Sequence, residues 1–395
     1  MTRGDRHFGM DWLRIGAFGL LILFHIGMTF SPWAFSVKLS EPHRWIVVLM
    51  FATSPWRLSL LFVVSGYASA ALFARRPAIG AFLRSRIERL GLPLLFGMAV
   101  IVPWQPWVEL ASQHDYAQGF GHFFLHDYFG FRSIDGIDVP SWMHLWFVAY
   151  LIVYTLLLAG LLALPAPMRQ RLRSTAERVL AGPLLLPLGI AYGDLARGQL
   201  PPFWIDSHQL SHDWSTHAVY LAAFLFGVLL RRSEAIRATI RRQWPIAAGL
   251  ALAGYGLLAT CEIIWPGDVP VPLRPWYDLA RSTQMWATVI ALIGLADRYA
   301  NHDNPWRAML AEAVFPFYII HQTLIVLIGY ALLGTATGTF ARFLLELAGT
   351  VAGCWLFYLA GRLVPALRPW IGLRRDRIAP LPWRAPPLLA MSAPF

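Results

Sequence analysis

Two ionisable side chains stand eleven residues apart in the first apolar run of the chain: Arg14, in Asp11-Trp12-Leu13-Arg14, and His25, in Leu23-Phe24-His25-Ile26. Eleven residues is close to three α-helical turns, so both project from one face, about 16 Å apart along the axis. Ionisable groups inside an apolar span are costly and mark functional sites unless packing explains them. A cation at one end of such a face can hold phosphate, and an imidazole of ordinary pKa, about 6.5, can take a proton from an alcohol. A lone histidine in an apolar helix more commonly serves as a helix–helix hydrogen bonder; its alignment with Arg14 favours chemistry.

Three further groups invite the same question. Arg57 follows Pro55 inside a second apolar run and precedes Leu61-Phe62-Val63-Val64-Ser65-Gly66-Tyr67; an arginine at that depth must find an anion, a carbonyl or water. Ser65 and Gly66 also suit close helix approach. Arg86 and Arg89, three apart in Arg84-Ser85-Arg86-Ile87-Glu88-Arg89-Leu90-Gly91-Leu92-Pro93, share a helix face and could clamp phosphate bidentately, although arginines beside a membrane ordinarily set topology and touch headgroups. His321 is a second candidate base, with a helix–helix hydrogen bond as its plainer role. Arg342 with Glu346, and Asp278 with Arg281, are expected as structural charge pairs. His122 with His126 and His208 with His212 are one turn apart if helical, but no carboxylate pattern accompanies them and no metal is expected.

The elements that carry these residues follow from composition. Of 395 residues, 57% are hydrophobic and 14% charged, against roughly 25% charged in a soluble domain. That excludes most soluble enzymes. The apolar runs are long enough to cross a bilayer, which takes about 20 helical residues. About ten spans are expected, at 10–30, 45–72, 90–110, 142–164, 179–196, 214–230, 244–265, 276–296, 308–333 and 343–364, the fifth and sixth being short. The second is too long for one straight helix, so Pro55 is expected to break it, and Pro93, Pro103 and Pro106 to make the third irregular. The fold class is therefore an all-α integral membrane protein, with residues 1–365 as the transmembrane domain and 366–395 as a Pro/Arg-rich cytoplasmic tail.

The formal charge of +11 comes from 32 Arg and one Lys, Lys38. These lie in short loops between apolar runs rather than on a basic face, which argues against a nucleic-acid partner. With a cytoplasmic amino terminus, 24 of the 33 basic residues fall in inner loops, from Arg3 and Arg6 to the cluster between Arg362 and Arg384. Both termini are thus expected in the cytoplasm. Cys261 and Cys354 lie in apolar runs, so no disulfide framework is expected. The first run lacks a cleavage site and reads as a span rather than a signal peptide. His43, His114, His122, His126, His144, His208, His212 and His217 gather in or beside the outer loops with Asp115, Asp127, Asp135, Asp138, Asp206, Asp213 and aromatics. Such a surface suits a polyhydroxyl ligand, although interfacial belts have a similar composition.

Taken in order, Arg14 and His25 with ten residues between them, Arg57 ahead of a stretch ending Ser65-Gly66-Tyr67, Arg86-x-x-Arg89 before Leu-Gly-Leu-Pro, His144-Leu145-Trp146-Phe147 and Phe317-Tyr318-Ile319-Ile320-His321 resemble the integral-membrane acyltransferase 3 family over most of the chain. Within it, Asp11 to Arg14 and the segment around Arg86 look most similar to a glucan-biosynthesis branch associated with succinylation of periplasmic glucans. The resemblance implies transfer of an acetyl or succinyl group from cytoplasmic acyl-CoA to a hydroxyl of an extracytoplasmic carbohydrate. It implies Arg14, Arg86 and Arg89 on the CoA phosphates, His25 as general base or transient acyl carrier, Arg57 on the oxyanion, and Ser65, Tyr67, His144, Trp146 and His321 as substrate contacts. A secondary transporter of a sugar or other polar solute is the competing class, since it too would show buried charges and broken helices; no repeated halves are visible. The sequence carries no signal of oligomeric state.

Overall fold

The structure, a computed structural model, describes residues 7–203 and 208–375. Arg3, Arg6, Asp206, Arg377, Arg384 and the expected tail beyond 375 lie outside the described residues. Fourteen helices and one hairpin follow in order: α1 (Phe8–Phe30), α2 (Arg44–Phe51), α3 (Ser54–Arg75), α4 (Ile79–Phe96), α5 (Trp104–Gln113), the single turn α6 (Phe120–His122), β1 (Arg132–Ile134), β2 (Ile137–Val139), α7 (Trp146–Ala163), α8 (Ala166–Leu180), α9 (Leu185–Gln199), α10 (Trp214–Arg232), α11 (Glu234–Ile264), α12 (Arg274–Tyr299), α13 (Pro305–Leu332) and α14 (Thr339–Leu363). Among the described residues nine helical segments are long and apolar enough to cross a membrane, or ten if the bent pair α8 and α9 forms one span.

Prolines place the irregularities. The second span breaks at Ala52 and Thr53, and Pro55 sits in the first turn of α3, where its missing N–H is harmless. Between α4 and α5 the chain widens into a π-turn, Gly97–Ile101, closed by Val102 N donating to the Gly97 carbonyl at 2.8 Å. The expected fifth span, 179–196, is not one straight helix: α8 and α9, each 15 residues, meet at 104°. Gly182 and Pro183 lie between them, and proline supplies no N–H to continue a helix. α8 carries four arginines and buries no residue, so it is a surface element.

α1 occupies the centre, packed against α3, α12 and α13. Arg307 of α13 joins it through Asp11 at 2.5 Å and is also held by Asp303 at 2.8 Å. Arg342 and Glu346 are not the pair expected. Arg342 donates to the carbonyls of Leu39 and Thr335, while Glu346, fully buried, accepts from Thr29 Oγ1 at 3.0 Å. Spacing of four allows a pair, but the α1 contact turns Glu346 inward. After Pro365 the chain stays with the bundle through residue 375: the turn Arg368–Ile371 packs on α4, α13 and α14, and Ile371 and Leu373 are buried. His7 and Arg374 line one cavity, so both ends of the described chain meet at one face.

α3 and α10 approach most closely at Gly66 and Gly227, where an added methyl would run into the backbone carbonyls of Phe224 and Val63 respectively. Alanine at Gly66 or Gly227 is therefore expected to lower the thermal midpoint of the detergent-solubilised protein by several degrees, whereas Gly16→Ala, which meets nothing within 4 Å, leaves it unchanged. Equal midpoints for all three variants would show that the two backbones do not need this contact.

Candidate active site

His25 of α1 and His321 of α13 face each other across the helix interface, with Nδ1 of His25 2.9 Å from Nε2 of His321 and ring centroids 5.1 Å apart. His321 is fully buried, and its Nδ1 lies 2.8 Å from the Tyr318 carbonyl oxygen. A carbonyl only accepts, so the proton of a neutral His321 sits on Nδ1 and its Nε2 is bare. His25 must then donate through Nδ1, which leaves Nε2 of His25 as the lone pair of the dyad. That nitrogen has no partner among the described residues. His321 thus makes the helix–helix hydrogen bond foreseen as its plainer role, and the helix it holds is the one bearing His25.

His144 belongs to the support of this pair. Its Nε2 donates to the carbonyls of Tyr318 at 3.1 Å and Ile319 at 3.0 Å, and its Nδ1 accepts from Gln105 Nε2 at 3.3 Å. Gln105 also donates to Thr323 at 2.7 Å and accepts from Gln322 at 3.0 Å, and the Tyr318 hydroxyl returns a bond to the His144 carbonyl. Both imidazole nitrogens are committed to protein, so His144 holds α13 in place rather than offering a hydrogen bond to a ligand. Trp146 is likewise buried, stacked 4.4 Å from the ring of His208.

Arg57 is 2% exposed, lies over the Phe24 ring at 4.0 Å and donates to Thr53 Oγ1 at 3.1 Å. No carboxylate pairs with it among the described residues, and its Nε is buried without a partner. It is close enough to interact electrostatically with both His25 and His321. The loop after α1 covers the histidine: Phe35 stacks on His25 with ring centroids 6.2 Å apart. Lys38 anchors that loop by donating to the carbonyls of Met28 at 2.7 Å, Ser31 at 2.9 Å and Trp33. Cations are favoured at a helix C-terminus, where carbonyls lack intrahelical donors.

A cavity of about 460 Å³ opens at the arginine-rich ends of the helices. Arg14, Ser65, Tyr67, Arg86 and Arg89 line it, and Asp11 is the one carboxylate in its wall among the described residues. Arg14 donates to the Ala311 carbonyl at 2.7 Å; Nε and Nη2 of Arg86 are buried with no partner among the described residues. The inner wall is apolar, formed by Phe18, Leu61, Phe147 and Tyr318. Phe18 packs edge-on to His321 at 5.5 Å, so one layer of side chains separates cavity from dyad. His25, Arg57, His321, His144 and Trp146 do not line it. Phe18 was legible in retrospect, lying four residues after Arg14 and seven before His25 on their common face.

A family model for an acyltransferase domain matches residues 7–359. The chain belongs to the acyltransferase 3 family. It is a multi-pass membrane O-acyltransferase. It is 24% identical over 385 residues to glucans biosynthesis protein C of Escherichia coli O6:K15:H31 (strain 536 / UPEC), covering 92% of this chain and 94% of that protein. The same identity and coverage relate it to glucans biosynthesis protein C of Escherichia coli O139:H28 (strain E24377A / ETEC) and O9:H4 (strain HS). No solved structure matches the chain.

For this acyltransferase the dyad generates a graded expectation. His25→Ala removes the lone pair and should lower acyl transfer by roughly 10²- to 10⁴-fold, the range for a general base. His321→Phe keeps a ring in place but loses the hydrogen bond that orients His25; kcat should fall about tenfold to a hundredfold, as loss of a buried hydrogen bond implies, with KM unchanged. Equal and complete loss in both would give His321 the larger role. Lys38→Met frees the loop carrying Phe35 and is expected to raise hydrogen exchange in residues 31–40 before it alters exchange in α13; unchanged exchange would show that the other loop contacts suffice.

Proposed function

We propose that this enzyme moves an acetyl or succinyl group from cytoplasmic acyl-CoA to a hydroxyl of a carbohydrate outside the bacterial inner membrane, with a glucan as the favoured acceptor. The observation that carries the reading is the continuous cavity, arginine-lined at its mouth, whose apolar end stops at Phe18, one side chain short of His321 and so of the dyad in which His25 keeps a free lone pair. The arginine-rich face is taken as cytoplasmic, in keeping with the bias of basic residues to that side, and residues 1–365 as the catalytic membrane domain. The glucan acceptor rests on the names of the Escherichia coli relatives, which match over nearly the full length of both chains.

In this mechanism Arg14, Arg86 and Arg89 hold the CoA phosphates, which planar guanidinium groups suit. The pantetheine arm extends along the Arg14 face of α1, and the separation of Arg14 and His25, about 16 Å, matches its reach. Phe18 must turn aside for the thioester to meet His25. Nε2 of His25 takes the proton from the acceptor hydroxyl as its oxygen attacks the thioester carbonyl. Arg57 stabilises the tetrahedral oxyanion, a contact made only as charge develops. The C–S bond then breaks, and the proton on His25 passes to the leaving thiolate, giving the ester and free CoA. Ser65 and Tyr67 stand in the donor's cavity, so in this reading their substrate contact is with the donor.

The test uses the purified protein in lipid nanodiscs with labelled acetyl-CoA or succinyl-CoA and a periplasmic glucan. Label on the glucan, with one free thiol released per ester, is the expected result. Absence of thiol release and of labelled product with both donors would overturn the proposal.

A further inference from the structure

The cavity mouth has a second basic wall that Arg14, Arg86 and Arg89 do not account for. Arg75, in the last turn of α3, and Arg231, in the last turn of α10, both line it. Arg231 lies over the ring of Tyr67 at 5.6 Å, and Tyr67 itself lines the cavity. Tyr67 also meets the ring of His7 edge-on, with centroids 6.3 Å apart. His7, the residue before α1, precedes Arg14 by seven residues, about 10 Å of helical rise, so the Tyr67 ring beside it, with Arg231 over that ring, lies on the side of Arg14 away from His25. The cavity therefore grades from an apolar end at Phe18, through a first basic level at Arg14, to a second basic level with an aromatic plane at Tyr67.

A donor bearing one phosphate group would need only the first level. We propose that Tyr67, Arg75 and Arg231 form a subsite for the 3′-phosphoadenosine end of CoA, the guanidinium groups taking the 3′-phosphate and the Tyr67–Arg231 stack receiving the adenine face. The inference rests on the acyl-CoA reading and adds to it a means of selecting the nucleotide. In CoA the 3′-phosphate lies beyond the diphosphate as seen from the thioester, across the ribose, which is the order of the two basic levels along α1. Arginine suits both tasks, because its planar fork binds phosphate oxygens and its face stacks on aromatic rings, and adenine stacks on an aromatic platform without needing sequence-specific partners. The subsite makes the enzyme prefer CoA thioesters over those of dephospho-CoA and of pantetheine, which lack this phosphate.

The experiment compares acetyl-CoA with acetyl-dephospho-CoA as donors for the full-length protein and for Arg231→Gln and Arg75→Gln, each first checked for an unaltered thermal midpoint. The wild type is expected to show a KM about tenfold or more higher for the dephospho donor, the scale of one charge-assisted contact. Arg231→Gln should raise KM for acetyl-CoA toward that value while leaving KM for acetyl-dephospho-CoA unchanged, and Arg75→Gln should do so in part. If Arg231→Gln proves unstable, Arg75→Gln alone carries the comparison. A wild type that uses both donors equally, or variants that raise both KM values together, would overturn the subsite while leaving the acyl-CoA reading intact. Failure of the wild type to use either form of the donor, as the acetyl and as the succinyl thioester, would overturn both.

Discussion

The carbonyl oxygen of Tyr318 receives two imidazole N–H groups, one from His144 and one from His321. A carbonyl oxygen can only accept, and in a hydrocarbon setting an unsatisfied donor is expensive. These two facts assign the protons of the whole cluster. His144 is spent on α13, His321 passes its bare nitrogen to His25, and His25 is left with one unshared lone pair. Gln105, Gln322 and Thr323 complete the shell by satisfying each other and His144. A network in which nearly every polar group is committed holds one group uncommitted with little freedom to rotate, and such preorganisation is what proton transfer requires.

Charge is distributed around that centre by the same cost. Buried cations that fasten helices have carboxylates: Arg307 has Asp11 and Asp303, and Arg362 has Glu312 at 3.3 Å. Arg57 and Arg86 differ, since no carboxylate pairs with either among the described residues, and each keeps a buried guanidinium nitrogen unsatisfied. Leaving such donors without an acceptor is costly, so these are the cations whose anion arrives with a substrate in the proposed reaction. Arg86 stands at the cavity mouth and Arg57 beside the dyad.

Much of this was legible because helical periodicity is a strict ruler. Arg14, Phe18 and His25 share a face of α1 for any helix spanning those residues, and the break near Pro55 and the irregularity after Pro93 follow from the missing N–H of proline. Pairwise partners were less accessible. Arg342 and Glu346 have the spacing of an ion pair, yet the carbonyls of Leu39 and Thr335 take the first and Thr29 the second. The fifth span was readable only as a short run at 179–196 because hydropathy averages over Gly182 and Pro183, whereas the backbone turns there by 104° between α8 and α9. His144 looked like a ligand contact, and only the position of the Tyr318 and Ile319 carbonyls at its Nε2 and of Gln105 at its Nδ1 shows both its nitrogens engaged.

The sequence by itself determined that the chain is a helical membrane protein, that arginine collects at one end of its helices, and that Arg14 and His25 lie on one line. Composition and local periodicity suffice for these, since they depend on transfer to lipid and on rise per residue. Tertiary structure alone decided which imidazole nitrogen remains bare, which arginines lack carboxylates, and that α3 and α10 bring Tyr67, Arg75 and Arg231 to the same cavity as Arg14. Those outcomes depend on contacts between residues nearly 300 positions apart, such as His25 with His321, and no local pattern encodes the angle at which two helices cross.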